Sequence, residues 1–222
     1  RRLSIVDIVD GHQPMLAEDA SLALVFNGEI YNHRDLRRDL ESRGYTFRTD
    51  HSDTEVLVHG WEEWGEQLFN KLNGMFAFAI WDEKQNTFVL VRDRYGIKPV
   101  YYAETAQHAL VFGSEIKAIL ASGLIKKEPS FSGIMEYFSF QNLWRDETMF
   151  KGIYQVKPGH YFIIDLNKPA GLDLKPYWHL EQNTNKDLTY EDAKDHFKYL
   201  FDDSIKLRLI SDVPVGTSLS GG

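Results

Sequence analysis

Phe26-Asn27-Gly28-Glu29 sets a carboxamide beside a glycine at the end of a short apolar run, Ser21–Phe26. The Asn27 side chain carries N–H donors, and Gly28 lacks a Cβ, so its backbone N–H can be approached closely. Two such donors at a strand end are what the oxyanion of a tetrahedral acyl-transfer intermediate requires. The same Asn-Gly pair is also the signature of a two-residue hairpin turn, so the pair alone leaves chemistry and turn both open. A second chemical stretch closes the chain. Leu219-Ser220-Gly221-Gly222 follows an apolar, β-prone run from Val213, read as a terminal strand. Serine hydroxyls and consecutive backbone N–H groups at a helix start suit a pyrophosphate; a plain glycine turn in a β–α unit is the alternative. The 222 residues contain no cysteine, which excludes disulfides, thiolate metal sites and a cysteine nucleophile within them. The eight histidines, among them His12, His33, His51 and His59, show no ligand spacing, and no metal site is expected from them.

The elements that must position these residues are legible from periodicity. Ser21–Phe26 reads as a strand followed by a turn at Asn27-Gly28-Glu29. Asn32 caps a helix from about His33 to Arg43, with Leu36 and Leu40 on one face and Gly44 as a stop. Ser52-Asp53-Thr54 caps a second helix, whose Val56, Leu57, Trp61 and Trp64 fall at helical spacing. Met75–Trp81 and Thr87–Val91 are nearly continuous apolar runs joined by a polar loop, a hairpin of buried strands. Val100–Ala103 and Ala109–Phe112 add strands, and Glu115–Ser122 a short helix ended by Gly123. Phe131–Phe140 reads as an amphipathic helix, and Lys157-Pro158-Gly159 as a turn before the strand His160–Asp165. Thr189, three residues before Asp192, opens a long helix to about Ile210. Strands covered by helices indicate a layered α/β or α+β domain.

Composition narrows the function classes. Charged residues are 26% and hydrophobic ones 43%, an ordinary globular balance, and no window approaches the roughly 20 apolar residues of a membrane span. A net charge of −8 opposes general attraction to nucleic acid or anionic lipid, so neither partner is expected. An anionic substrate must then be met by a local basic cluster. Arg1-Arg2-Leu3-Ser4-Ile5-Val6 begins as a strand without a signal-peptide pattern, and the closing Gly-Gly leads into a further element. The stretch is read as an internal piece of a cytoplasmic protein.

Six ordered motifs carry a resemblance: Arg2–Asp7 (RLSIVD), Asn27–Asn32 (NGEIYN), Ser52–Glu55 (SDTE), Gly74–Asp82 (GMFAFAIWD), Arg92–Tyr102 (RDxxGxxPxYY) and Ser114–Ala118 (SEIKA). Together they resemble the glutaminase domain of the class II glutamine amidotransferases, specifically the glutamine-hydrolysing asparagine synthetase family. Ser211–Gly222 (SDVPVGTSLSGG) resembles the opening of a PP-loop ATP pyrophosphatase domain. The resemblance implies an N-terminal nucleophile hydrolase-type αββα sandwich over 1–166 whose own N-terminus is missing. A linker at 167–187 and the beginning of a PP-loop α/β nucleotide-binding domain at 188–222 would follow.

The same resemblance implies roles. Arg2 would hold the glutamine α-carboxylate, for which a guanidinium fork is suited and an ammonium is not. Asp53 would accept the α-ammonium, Asn27 and Gly28 would be the oxyanion donors, and Glu29 a further substrate contact. Leu3, Ser4, Ile5 and Val6 would line the glutamine stem, and Leu219, Ser220, Gly221 and Gly222 would bind ATP. The family nucleophile is an N-terminal cysteine whose α-amino group, pKa about 8, takes its proton. With no cysteine here, these residues alone are expected to be inactive. The implied reaction is ATP- and Mg2+-dependent amidation of a carboxylate, aspartate in the named family, with glutamine as nitrogen donor. Small molecules are the expected partners, and a homodimer is left open. The competing readings are another class II amidotransferase, against which Ser-Gly-Gly argues, and a non-catalytic glutamine-binding module. Arg92, Asp93, Gly96 and Pro99 are equally explained by a structural ion pair in a strand–turn–strand.

Overall fold

The computed structural model describes residues 6–7, 11–168, 172–184 and 187–219. In chain order these form β1 (Met15–Leu16), β2 (Leu22–Ile30), α1 (His33–Ser42), α2 (Asp53–Trp64), a short 3-10 turn, α3 (Leu68–Lys71), β3 (Gly74–Asp82), β4 (Thr87–Arg92), β5 (Tyr101–Glu104) and β6 (Leu110–Gly113). They continue as α4 (Ile116–Ala121), α5 (Phe131–Phe140), β7 (Tyr154–Gln155), β8 (His160–Asp165), β9 (Lys175–Pro176) and α6 (Tyr190–Arg208). Two compact units result, one of residues 1–15, 29–73 and 180–222, the other of 16–28 and 74–179.

The second unit is built on two sheets. The larger runs β1-β2-β3-β4-β8-β9 and the smaller β6-β5-β7. The expected β3–β4 hairpin is antiparallel, with Ala77 opposite Arg92 and Asp82 opposite Thr87. Its sequence is apolar throughout because both faces are covered: Phe76, Phe78 and Ile80 are buried, and so are the intervening Ala77 and Ala79. Ala77, Ala79, Leu90 and Phe162 form one core cluster with Val100 and Val156, where Tyr102 and Phe162 meet edge-on at 5.3 Å. Outside the smaller sheet, Ile119 of α4 packs on Ala103 and Ile153. Each fully buried side chain of this size contributes about 1.5–3 kcal/mol.

Arg92 and Asp93 are not an ion pair, as one expectation had it, but two main-chain clamps. Arg92 is buried and donates to the carbonyls of Lys98 (2.9 Å), Gly96 (2.8 Å) and Val156 (2.7 Å). Asp93 accepts from the backbone N–H groups of Phe76, Tyr95, Ile97 and Lys98 at 2.9–3.2 Å. A strand end and the turn after it are thereby fixed from both sides, and a Cβ at Gly96 would lie 3.0 Å from Arg92 Cζ. Residues 175–178 join the same knot. Tyr161 pairs with Lys175, and Tyr177 Oη donates to the Arg92 carbonyl at 2.9 Å.

In the first unit Leu36 and Leu40 of α1 are buried along with Val56, Leu57 and Trp61 of α2. Ser52 caps α2 by accepting from the Thr54 N–H, as expected. Asn32 precedes α1 without a side-chain cap; its carboxamide instead joins the Lys71 carbonyl and the Asn73 N–H at 2.9 Å each. Thr189 caps α6.

Three further expectations are corrected. The Asn-Gly pair is no turn, since β2 runs through it to Ile30. Residues 211–219 form no strand, because a strand needs a neighbour for its backbone groups and none among the described residues supplies one. The α5 helix is not sided as an amphipathic helix is: of its residues only Gly133 is buried, and Phe138 is 79% exposed.

Arg92→Lys is expected to destabilise the protein by about 3 kcal/mol, since an ammonium cannot reach three diverging carbonyls and leaves buried acceptors unpaired. The urea midpoint measures it, and a loss under about 1 kcal/mol contradicts the clamp.

Candidate functional site

Gly28 lies within β2, against β3. A Cβ built on it would stand 2.1 Å from the Met75 carbonyl oxygen and 2.7 Å from Phe76 Cα. No side chain fits there, because the obstacle is backbone inside a sheet, and φ is +156°. The next residue along β3, Phe76, is the one whose N–H and carbonyl are held by Asp93: Oδ2 accepts from Phe76 N–H at 3.2 Å, and Asp93 N–H donates to the Phe76 carbonyl at 2.8 Å. The Arg-Asp motif therefore fixes the wall on which Gly28 rests. Beside Gly28, the Asn27 carboxamide donates from Nδ2 to Ser114 Oγ at 3.2 Å.

Two residues on, the backbone of Ile30 is held at both ends. Its N–H donates to Asp53 Oδ2 at 3.1 Å. Its carbonyl lies 2.7 Å from Nδ1 of His33, a buried ring. Burial pushes the His33 pKa below its ordinary value despite that hydrogen bond, so the ring is neutral and donates from Nδ1. Asp53 is 4% exposed at the first turn of α2, where the helix N-terminus favours a carboxylate. The Ser-Asp-Thr-Glu motif divides its two acids. Asp53 faces the end of β2, while Glu55 binds the N–H groups of Arg48 and Thr49 at 2.8 Å each. Burial alone would raise the Glu55 pKa, but His59, the Thr49 hydroxyl and these N–H groups outweigh it and hold the carboxyl down to about 2.

A further cluster in the first unit is centred on Asp212, within Ser-Asp-Val-Pro-Val-Gly. Its Oδ2 accepts from the Asp7 N–H at 2.8 Å and from His51 Nε2 at 2.6 Å. His51 Nδ1 meets Asp50 Oδ2 at 2.9 Å. With a carboxylate at each ring nitrogen, chiefly Asp212, the His51 pKa is raised.

Of the residues singled out from sequence, Asn27, Gly28 and Glu29 are consecutive on β2, and Asp53 is joined to the same strand through Ile30. Glu29 and Val6 are buried, and Leu219 is 97% exposed. Arg2, Leu3, Ser4, Ile5, Ser220, Gly221 and Gly222 lie outside the described residues. Among the described residues no group of three or more His, Asp or Glu could hold a metal ion, and no helix is long and apolar enough to cross a membrane. Sequence reasoning missed His33, Ser114 and Asp212. Ser114 and Asp212 each carried a signal, a place in a quoted motif without an assigned role; His33 carried none.

Two expectations follow from this geometry. Gly28→Ala must displace β2 or β3 and is expected to lower stability by more than about 3 kcal/mol or to prevent folding; an unchanged melting temperature contradicts the close approach. Asp212→Asn removes the carboxylate with the strongest effect on His51. Its pKa should fall towards the ordinary value in a histidine NMR titration, and a stationary pKa contradicts the pairing.

The glutamine amidotransferase domain family matches residues 1–178. Over its whole length the chain is 41% identical to asparagine synthetase (glutamine-hydrolyzing) 3 of Bacillus subtilis strain 168, covering 36% of that protein. It is 39% identical to asparagine synthetase (glutamine-hydrolyzing) 1 of the same strain, covering 34%, and 37% identical to the amidase chyE of Penicillium rubens, covering 32%. The chain thus spans about a third of the length of these relatives. Among solved structures, glutamine phosphoribosylpyrophosphate amidotransferase from B. subtilis matches 75% of this chain and 32% of its own at a TM-score of 0.52 and 24% identity, a likeness of fold. With four-fifths of its residues inside the family match and its mixed α/β architecture of antiparallel sheets shared with a solved member of the class, the chain belongs to the glutamine amidotransferase domain family.

Proposed function

We propose that this chain provides the glutamine site of an enzyme that hydrolyses glutamine to glutamate and ammonia and passes the ammonia to an activated carboxylate, that of aspartate. The observation that carries the reading is β2, where a carboxamide and a glycine N–H stand next to each other two residues before a peptide held by a buried carboxylate. In that reading Asn27 Nδ2 and Gly28 N–H receive the negative oxygen that develops when a thiolate adds to the glutamine side-chain carbonyl. Expulsion of ammonia leaves a thioester, which water hydrolyses to glutamate through a second oxyanion at the same donors. Asp53 takes the substrate α-ammonium and Arg2 the α-carboxylate, with Glu29 as a further contact and Leu3, Ser4, Ile5 and Val6 along the stem. The thiolate comes from a cysteine that is not among these 222 residues.

Aspartate as acceptor is supported by the 41% and 39% identities to proteins named glutamine-hydrolysing asparagine synthetases. The fold likeness to a phosphoribosylpyrophosphate amidotransferase, at 24% identity, favours no other acceptor. ATP with Mg2+ would supply the adenylyl group that activates the carboxylate, and ammonia would displace AMP. Leu219, Ser220, Gly221 and Gly222 are assigned to ATP on the Ser-Gly-Gly pattern. The exposed Leu219 offers only its backbone, and no metal ligands are assigned among the described residues.

Asp53→Asn retains a carbonyl oxygen for the Ile30 N–H while removing the negative charge. In the protein expressed from its intact gene, Asp53→Asn and Arg2→Lys should each raise the KM for glutamine at least about tenfold and leave ammonia-supported amidation unchanged. An unchanged KM in either variant removes the assigned role, and absence of glutamate release from the unmodified protein removes the reading.

A further inference from the structure

We infer that Ser114 is a positioning residue for the amide transfer, its hydroxyl setting the orientation of the Asn27 carboxamide. The inference rests on the reading of Asn27 as an oxyanion donor. A terminal carboxamide rotates in a broad, roughly twofold well about its last side-chain bond, and a half-turn exchanges donor for acceptor. Pointed the wrong way, Asn27 would present a carbonyl oxygen to a developing anion. Something must hold it, and among the described residues the one side-chain hydrogen bond given to Asn27 is the 3.2 Å contact from Nδ2 to Ser114 Oγ. That contact occupies one of the two Nδ2 protons and leaves the other for substrate.

The partner is itself anchored from both sides. Ser114 is the first residue after β6, whose terminal Gly113 is paired with Tyr101 of β5. It precedes Glu115, the extended residue at the start of α4. The α4 helix cannot slide, because Ile119 is fully buried against Ala103 and Ile153. A Cβ at Gly113 would already touch the Ala118 Cβ at 3.4 Å, so the strand-to-helix junction is tight. The hydroxyl thus stands on two packed elements 87 residues away in sequence from the amide it meets. This gives the Ser-Glu-Ile-Lys-Ala motif a function distinct from substrate contact: a fixed hydroxyl that accepts one Nδ2 proton and holds the plane of the amide with the other proton outward.

Removing an oxyanion donor outright costs about 10²–10³ in kcat. Removing its support, with the donor still present and correctly aimed part of the time, should cost less, about tenfold. The test uses the protein expressed from its intact gene. Ser114→Ala is expected to lower kcat for glutamine hydrolysis about tenfold with KM within about twofold, because ground-state binding does not use the oxyanion donors. Ser114→Thr, which keeps the oxygen, should restore the rate, and ammonia-supported amidation should be unaffected in both. Undiminished kcat in Ser114→Ala overturns the inference. So does a matching fall in ammonia-supported activity, which would mark a structural role, or a change confined to KM, or a Thr variant no better than Ala. If the unmodified protein hydrolyses no glutamine, the reading of Asn27 falls and this role with it; glutamine hydrolysis undiminished by Ser114→Ala overturns the positioning role alone.

Discussion

The structure depends on two backbones being allowed to touch. At Gly28 the strand β2 comes so near β3 that the space of a single methyl group is taken by the Met75 carbonyl. Glycine is required there because the obstacle is main chain held in a sheet, which cannot rotate aside as a side chain can. The consequence reaches outwards. β3 must be immobile at that point, and Asp93 immobilises it by taking the Phe76 N–H while its own N–H takes the Phe76 carbonyl. Asp93 in turn requires the following turn to present N–H groups inwards, and Arg92 shapes that turn by collecting carbonyls. A proposed oxyanion donor is thus the last member of a series of main-chain contacts, each rigid because the next one is.

Buried acids in this protein are used on peptide groups more than on cations. Asp93 takes four N–H groups, Glu55 two, and Asp53 the N–H of Ile30. A charge-assisted bond to a backbone donor is stronger than a neutral one and has no long side chain to order. The surface pairs, such as Arg38 with Asp35 or Lys198 with Asp202, join mobile exposed groups. Such exposed pairs are screened by solvent and contribute little. What is fixed in space is therefore backbone, the strand that carries Gly28 included.

How much of this was readable beforehand follows the range of the forces. The β3–β4 hairpin and the α2 cap depend on neighbours in sequence, and both were legible as apolar runs or a Ser-Asp-Thr start. Asn27-Gly28 misled as a turn because its glycine answers to a strand nearly fifty residues later, and local pattern carries no trace of that partner. Asn32 likewise looked like a cap and instead spans to Lys71 and Asn73. The pair Arg92-Asp93 suggested an ion pair because opposite charges are adjacent; only the folded turn shows that each looks away to main chain. β9 was invisible, since two residues of a proline-containing segment acquire strand character solely from β8. The Val213–Leu219 run shows the converse, β-prone residues without a partner strand among the described residues.

The two buried histidines of the first unit show how the candidate site keeps its geometry near neutral pH. For His59 burial opposes the charge, but Glu55 and Glu62 outweigh it, and its pKa is raised. Its stabilisation is fully present below the unfolded-state value of about 6.5 and is lost as pH rises through the folded value. His33 is the reverse, neutral with a lowered pKa. Its contribution is present above about 6.5 and is lost as pH falls towards the folded value. The two slopes are opposed in sign, and Glu55 retains its hydrogen bonds until pH approaches about 2. Because His33 stays neutral, its Nδ1–H remains on the Ile30 carbonyl while Asp53 remains on the Ile30 N–H. The peptide that follows Asn27, Gly28 and Glu29 is thereby held from both sides.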